Sequence, residues 1–150
     1  NLQTIRIKGK DVKLMFQIAT SGPHGFASNS GLRMKLIPIN KDAPKVDLNQ
    51  DGKLEQWETN RILEITMADG SPIIDDKIYT LATFAFILNG GDDMSWFMKR
   101  VPKKDIKLIT PTYCREIVTD YLREKKVVNT RAHPLVDPLK PRIILAPAKS

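Results

Sequence analysis

Apolar and polar residues alternate along residues 2–8, and this period of two predicts a strand with Ile5 and Ile7 on its buried face. Gly9 ends the strand. In residues 10–20 the apolar side chains instead recur at i, i+3, i+4 and i+7, which is the spacing of one helix face. They are Val12, Met15, Phe16 and Ala19. The chain is therefore predicted to begin with a strand followed directly by an amphipathic helix.

The same period of two predicts two further strands that frame an interruption of the chain. Within residues 26–39, apolar positions alternate with charged ones, so one face of this strand is expected to meet water. Residues 61–67 predict another strand, and Asp69-Gly70 after it is a typical hairpin turn. Residues 40–60 interrupt what would otherwise be a plain hairpin.

The stretch at residues 79–93 combines a strand pattern with a glycine loop. Nearly every residue from 79 to 88 suits a strand buried on both faces. The pattern breaks at Asn89-Gly90-Gly91-Asp92, where two glycines permit positive φ and the close approach of a backbone or a ligand. This arrangement indicates the edge of a binding site, and a strand that ends in an ordinary turn is the alternative.

Two helical segments are predicted after this loop. Residues 94–98 are apolar and predict a short helical turn. Thr110 and Pro111 predict the start of a second main helix, as its N-cap and first helical residue. The buried face of that helix is expected to carry Cys114, Ile117, Val118, Tyr121 and Leu122. The predicted fold is thus α+β in a single domain, with a mixed, largely antiparallel sheet packed by two main helices.

Composition narrows the classes of function. The chain has 150 residues, 41% of them apolar and 27% charged, which is typical of a globular domain with its own core. The net charge of +7 is spread along the chain, without an Arg-rich arm or a recognition-helix pattern. This spread favours a solvated basic surface, then anionic small molecules, and we expect no nucleic-acid partner. No apolar run is long enough to predict a membrane span.

The segment Tyr-Thr-Leu-Ala-Thr-Phe-Ala-Phe-Ile-Leu-Asn-Gly-Gly-Asp at residues 79–92 resembles the signature of the C-terminal domain of the 5'-nucleotidase family. That family includes 5'-nucleotidases, UDP-sugar hydrolases and 2',3'-cyclic nucleotide phosphodiesterases. Further segments resemble the same domain: the strand-Gly-helix start, Ser30-Gly31-Leu32-Arg33, and Arg142-Ile143. The resemblance covers the chain apart from residues 40–60. It implies a C-terminal-type domain over residues 1–150, truncated on its N-terminal side.

The resemblance also implies a substrate site. In the family, the Phe of this signature stacks on the substrate's base and the Asp after Gly-Gly faces its sugar, and these positions are Phe86 and Asp92. With Asn89, Gly90 and Gly91, they form the expected substrate-binding set. A base offers a π-face to an aromatic ring, and a ribose offers hydroxyls to a carboxylate. A second stacking aromatic residue and the substrate-binding arginines are expected upstream of Asn1. Two positions depart from the family pattern, namely Asp93 and Phe84.

The catalytic machinery is expected on another domain. Family members hydrolyse phosphoesters with two metal ions held by Asp, His and Asn in a separate N-terminal domain. This chain has only His24 and His133, neither in a metal-ligand cluster, and it has no Ser-His-Asp set or P-loop. Cys114 has no nearby His, so it is not expected to be a nucleophile. We therefore predict no catalytic residue in the chain, and we place the divalent catalytic metals on the missing domain.

The predicted function is the nucleoside-binding domain of a secreted or periplasmic 5'-nucleotidase-type metallophosphohydrolase that acts in nucleotide catabolism. Its partners would be a nucleotide or nucleoside and the N-terminal metallophosphatase domain of the same polypeptide. By itself the chain is expected to be inactive. The alternative is a calcium-stabilised, non-enzymatic binding or interaction module that retains the fold.

The interruption at residues 40–60 carries a twelve-residue segment, 47–58, that matches the calcium loop of an EF-hand. Gly52 at position 6 permits the sharp turn. Oxygen ligands are predicted at positions 1, 3, 5, 7, 9 and 12, from Asp47, Asn49, Asp51, the Lys53 carbonyl, Glu55 and Glu58. Ca²⁺ prefers such ligands; a polar, Asp-rich turn is the alternative. Pro44 opposes an entering helix, so we expect a lone Ca²⁺ loop that staples a hairpin insertion and suits an exported protein.

Overall fold

The computed structural model describes residues 1–21, 28–39, 43–127, 139 and 141–147. Over these residues the chain forms six strands and four α-helices. In chain order they are β1 (Leu2–Lys8), α1 (Gly9–Thr20), β2 (Leu32–Leu36), β3 (Ile62–Met67), β4 (Ile78–Phe84), α2 (Ala85–Leu88), α3 (Ser95–Met98), β5 (Ile106–Thr110), α4 (Cys114–Lys125) and β6 (Ile143–Leu145). The predicted α+β class is confirmed, and the two long helices are α1 and α4.

The strands form two small sheets. One has the order β4-β1-β5 and is antiparallel throughout. The other has the order β3-β2-β6, with β2 antiparallel to β3 and parallel to β6. The predicted hairpin of β2 and β3 is therefore present, and residues 40–60 lie between its strands. The strand pairing is mixed and largely antiparallel, as predicted, but it is divided between two sheets. The short strands β5 and β6 are not among the predicted elements.

The core lies between β1, α1 and the segment that follows β4. The buried apolar side chains that form one cluster are Ile5, Ile7, Val12, Met15, Ile18, Leu32, Ile73, Leu88, Met94 and Phe97. Phe16 and Ala19 pack against this cluster from partly buried positions. The periodicity of the first strand and helix therefore predicted their buried faces correctly, because both elements bury one face and expose the other.

The first turn of α1 is held against residues 73–77, the segment that leads into β4. The backbone N–H groups of Gly9 and Lys10 donate to the carbonyls of Lys77 and Asp75, at 2.9 and 3.1 Å. These bonds satisfy amides that a helix N-terminus leaves without intrahelical partners. A Cβ placed on Gly9 would overlap the Ile74 carbonyl oxygen. Glycine is thus required here for space.

A buried arginine ties the end of α1 to the second sheet. Arg61 precedes β3 and is only 2% exposed. Its Nε donates to the Ile37 carbonyl at 2.9 Å, and its Nη1 donates to the Thr20 carbonyl at 2.7 Å. Burial lowers the pKa of the Arg61 guanidinium, which still stays protonated. The cation therefore stabilises the carbonyl end of α1, where the helix dipole is negative.

Two predictions about β4 are wrong in the described part of the chain. β4 is an edge strand paired with β1. It is not buried on both faces, because alternate residues along it are exposed, among them Ile78 and Phe84 at 47% and 45%. The strand also ends at Phe84, since residues 85–88 turn into α2. The sequence pattern could not show this because strand formers and a buried helical turn have the same apolar composition.

The second main helix begins later than predicted. Thr110 is the last residue of β5, and its Oγ1 accepts the Thr112 N–H at 3.1 Å, so it is not the N-cap of α4. The helix starts at Cys114, and the Glu116 carboxylate accepts the Tyr113 N–H at 3.0 Å. The expected buried face is largely exposed within the described residues, with Val118 50% and Leu122 48% exposed, because no described element covers it. None of the described helices is long and apolar enough to cross a membrane.

Replacing Gly9 by Ala tests the contact between α1 and the 73–77 segment. The added Cβ must displace the Ile74 backbone, and overpacking of this kind costs about 1–3 kcal/mol of unfolding free energy. Urea denaturation measures that loss. The matched control is Gly31→Ala, whose Cβ would have no neighbour within 4 Å, and its effect should stay within about 0.5 kcal/mol. Equal stabilities of the two variants would contradict the expected steric role.

Candidate functional site

The loop at residues 89–93 connects α2 to α3. Backbone amides of the loop close against α2: the Asn89, Gly90 and Gly91 N–H groups donate to the carbonyls of Ala85, Ile87 and Phe86, at 2.8, 3.0 and 3.0 Å. α2 follows β4 without a connecting loop, so the position of the loop is determined by the edge strand. These hydrogen bonds make 89–91 an ordered continuation of α2.

Three residues of this loop have positive φ. Gly90 has φ of 96°, Asp92 of 51° and Asp93 of 61°. A side chain at Gly90 would be strained by that φ and would also meet Ser95, because an added Cβ would lie 2.5 Å from the Ser95 Oγ. Asp tolerates the left-handed region better than most residues. Two consecutive such residues direct the chain sharply from the glycines into α3.

The Phe86 ring lies against the backbone of Gly91. The side chain is 62% exposed. A Cβ on Gly91 would overlap ring atoms Cε1 and Cζ of Phe86. The ring therefore rests on a glycine backbone and presents the remainder of its surface to solvent. A ring that stacks on a ligand requires such a free face.

A groove of about 600 Å³ brings Phe86 and Asp92 together. Its walls come from the buried face of α1, the residues before and at the start of β2, Met67, all of β4 after its first residue, two residues of α2 and the end of the loop that follows it. Phe84, which departs from the family pattern, lines the groove, whereas Asn89, Gly90 and Gly91 do not. No signal in the sequence indicated the contribution of α1, because the pattern of its apolar residues is that of a core.

The charge of the groove is set by a single acid. Asp92 is the only Asp, Glu, Lys or Arg among the described residues that line it, and the other polar groups are Ser, Asn, Thr and Tyr. The described lining residues therefore offer no Arg or Lys of the kind that binds a phosphate. The groove suits a neutral aromatic ring with hydroxyl groups, because those groups donate to a carboxylate.

The 47–58 loop is closed by its own acidic side chains. Asp47 accepts the N–H groups of Asp51 and Gly52, at 3.2 and 2.9 Å, and Gly52 has φ of 79°. Glu58 is fully buried, and its carboxylate accepts the N–H groups of Leu48, Asn49 and Glu55 at 2.7, 3.3 and 2.9 Å. The first and last ligand positions of the predicted calcium loop are thus held at its two ends.

The two ends of this loop are joined by an antiparallel β-bridge and by backbone hydrogen bonds. Lys45 pairs with Thr59, the Val46 N–H donates to the Glu58 carbonyl at 3.0 Å, and the Asn60 N–H donates to the Pro44 carbonyl at 2.7 Å. Residues 43–46, the described residues directly before the loop, are not helical, in agreement with the expectation from Pro44. In the described residues, however, no three His, Cys, Asp or Glu side chains converge closely enough to hold a metal. The donors fit Ca²⁺ in chemical type, and their assembly stays a prediction.

Three further residues were considered as candidates in the sequence: His24, His133 and Cys114. His24 and His133 lie outside the described residues. Cys114 is half-buried at the start of α4.

Comparison with known proteins identifies the domain. Residues 1–99 match the sequence model described as 5'-nucleotidase, C-terminal domain. No curated protein sequence is significantly similar to the chain. The crystal structure of a 5'-nucleotidase precursor from Thermus thermophilus is similar in fold, with a TM-score of 0.65 at 22% identity over 99% of this chain and 25% of that one.

The structure of Haemophilus influenzae NAD nucleotidase is also similar, with a TM-score of 0.54 at 16% identity over 99% of this chain and 23% of that one. At these identities the likeness shows the fold alone. The chain spans about a quarter of the length of each of these two proteins.

The support of the Phe86 ring by Gly91 can be tested with Gly91→Ala. The new Cβ would occupy the place of the ring, so the ring should rotate away and its nuclear Overhauser contacts to residue 91 should be lost. The unfolding free energy should change by no more than about 1 kcal/mol, since an exposed ring can move into solvent. Gly31→Ala serves as the control. Ring contacts that persist in Gly91→Ala would refute the described packing.

Proposed function

Because the chain belongs to the 5'-nucleotidase C-terminal domain family, we propose that it is the nucleoside-binding domain of a 5'-nucleotidase-type phosphohydrolase. The observation that carries this proposal is the geometry of Phe86, Gly91 and Asp92. An exposed ring rests on a glycine backbone, and a carboxylate lies in the same groove. The ring would stack on the base, and Asp92 would accept a sugar hydroxyl.

The proposed site has a limited affinity by itself. Stacking of one base on one aromatic side chain contributes about 1–3 kcal/mol. Such a contribution corresponds to dissociation constants of roughly millimolar or weaker. The second aromatic residue and the arginines expected upstream of Asn1 would raise the affinity by covering the other face of the base and holding the phosphate. The proposed role of this chain is therefore to orient the nucleoside.

The phosphate chemistry is proposed for another part of the same polypeptide. The groove of this domain holds no cation among its described lining residues, and the structural relatives are about four times as long as this chain. The N-terminal metallophosphatase domain would supply the divalent metals and the attacking water. The whole polypeptide would then act in nucleotide catabolism. It would be secreted or periplasmic, where calcium for the insertion is plentiful.

The insertion is proposed to bind one Ca²⁺. Asp47, Asn49, Asp51, Glu55 and Glu58, with the Lys53 carbonyl, would supply the oxygen ligands. Two observations support this proposal: the hydrogen bonds of Asp47 already place the backbone at Gly52 in its turn, and buried Glu58 faces the amides at the start of the loop. The ion would offset the repulsion of four carboxylates and would hold the insertion to the hairpin.

A calcium-stabilised interaction module without nucleoside binding is the alternative. The observation that favours it is the exposed apolar face of α4, where Ile117, Val118, Tyr121 and Leu122 are 39–50% exposed within the described chain. Exposed apolar surface of this kind occurs at protein interfaces. The two functions differ in one measurable property, which is the response of the loop at residues 89–93 to a nucleoside.

Calcium should stabilise the chain by mass action. At a free Ca²⁺ concentration of about 100 times the dissociation constant, the unfolding free energy should rise by about 2.7 kcal/mol. Thermal melts with Ca²⁺ and with chelator measure this difference. Asp47→Asn removes one charged ligand and should abolish most of the shift, whereas Asp69→Asn, in a turn outside the loop, should leave it intact. Identical midpoints with calcium and with chelator would exclude the site.

Adenosine should bind at Phe86. In an NMR titration of the 150-residue chain, amide shifts should concentrate at residues 84–94. Phe86→Ala should abolish them because it removes the stacking ring. Tyr113→Ala is the matched control, since Tyr113 is an aromatic residue with the same exposed fraction, 62%, and does not line the groove. Shifts that lie elsewhere, or that survive Phe86→Ala, would favour the interaction module.

A further inference from the structure

Two tryptophans connect the insertion to the loop at residues 89–93. Trp57 lies in a 3₁₀ turn, Gln56–Glu58, at the end of the calcium-type segment, and Trp96 lies in α3. Their ring centroids are 5.5 Å apart with an angle of 36° between the planes. Both rings are partly buried and pack against the hydrophobic core. This aromatic contact joins two segments that are far apart in sequence.

The insertion determines where the Trp57 ring lies. The indole Nε1 donates to the Glu55 carboxylate at 2.6 Å. The next residue, Glu58, is fully buried and binds three backbone amides of the loop. The Trp57 ring is thus bonded to the insertion through Glu55, and it packs against the hydrophobic core.

The other ring belongs to a helix that contacts the glycine loop directly. The Ser95 hydroxyl donates to the Gly90 carbonyl at 3.0 Å, and the Met94 N–H donates to the Gly91 carbonyl at 3.2 Å. The backbone at Gly90 also approaches Ser95 so closely that a Cβ would not fit between them. The guanidinium of Arg100 lies 4.7 Å from the centroid of the Trp96 ring. A displacement of Trp96 would therefore move Ser95 and, with it, Gly90.

We propose that Trp57 is a positioning residue for the nucleoside site. Its ring fixes Trp96 and α3, and α3 fixes the glycine backbone on which the Phe86 ring rests. Trp57 itself does not line the groove and would not touch the ligand. The insertion is in this way a brace for the Gly-Gly-Asp loop. The expected effect of Trp57 on ligand affinity rests on the proposed nucleoside-binding function. Its expected effect on the order of the Gly-Gly-Asp loop does not.

The first readout is independent of any ligand. The Gly90 and Gly91 amides donate to backbone carbonyls of α2, so their hydrogen exchange reports how firmly the loop is held. Trp57→Leu removes the aromatic contact and keeps apolar volume, and it should accelerate exchange at both amides about two- to tenfold, the factor that an aromatic pair contributes. Trp57→Phe retains a ring and should keep exchange near that of the unchanged chain.

Two further variants separate positioning from general loss of stability. Leu54→Ala changes an exposed apolar residue of the same insertion, which is 55% exposed, and should leave exchange at Gly90 and Gly91 unchanged. In a double-mutant cycle with Trp96→Leu, the effects of the two tryptophan substitutions should not add, because both remove one contact. If Trp57→Leu does not fold, Trp57→Met fills the space without an aromatic ring and decides the question.

The second readout is the adenosine titration. Trp57→Leu should weaken adenosine binding by about two- to tenfold, and Leu54→Ala should leave it unchanged. If the unchanged chain does not bind adenosine, the proposed function fails, and the exchange data alone decide the positioning role. If exchange at Gly90 and Gly91 in Trp57→Leu equals that of Leu54→Ala, or if the effects of the two tryptophan substitutions add, the positioning role is overturned.

Discussion

The close contact of Gly9 with the Ile74 backbone is the constraint on which the arrangement of the domain depends. Through it the first turn of α1 is bonded to the segment that becomes β4. β4 also pairs with β1, the strand that leads into α1. The position of α1 relative to this pair of strands is therefore fixed. The salt bridges Lys13–Asp75 and Lys8–Asp76 lie at the surface and add little, since exposed pairs contribute at most about 1 kcal/mol. Steric fit and backbone hydrogen bonds therefore hold the start of α1 against residues 73–77.

The second sheet is attached to the same helix at its other end. Arg61 donates to a carbonyl of α1 and to a carbonyl after β2, deep in the structure. Because a buried guanidinium without its partners would be costly, the end of α1, the strand β2 and the start of β3 must keep their relative positions. The insertion lies between β2 and β3 in the sequence. Its last acidic residue, Glu58, is fully buried and lies three residues before Arg61. The described part of the insertion, residues 43–60, is thus joined to the core through buried Glu58 and Trp57.

The site is a consequence of these attachments. The edge strand ends at Phe84 and continues directly into α2, which presents Phe86 and closes the glycine loop. The groove beside it is largely apolar, with one carboxylate among its described lining residues. Under the proposed function, this domain would orient the nucleoside and another domain of the polypeptide would hold the metals.

The sequence alone determined the elements whose periodicity is local. β1, α1, β2 and β3 follow from alternation and helical spacing, the Asp69-Gly70 turn follows from its dipeptide, and residues 79–92 carry a signature that identifies the family. Each of these depends on neighbours within a few residues. The calcium and nucleoside roles of the corresponding residues stay predictions.

Only the tertiary structure decided which surfaces are covered and which distant segments meet. A pattern of strand formers cannot show whether both faces of a strand are covered, because the covering residues lie elsewhere in the chain. For this reason the predicted burial of β4 on both faces is wrong. The face of α4 was predicted to be buried for the same reason. The approach of Gly9 to Ile74, the bonds of Arg61 to the end of α1 and the pairing of Trp57 with Trp96 leave no mark in local sequence, since each is set by how separate elements pack.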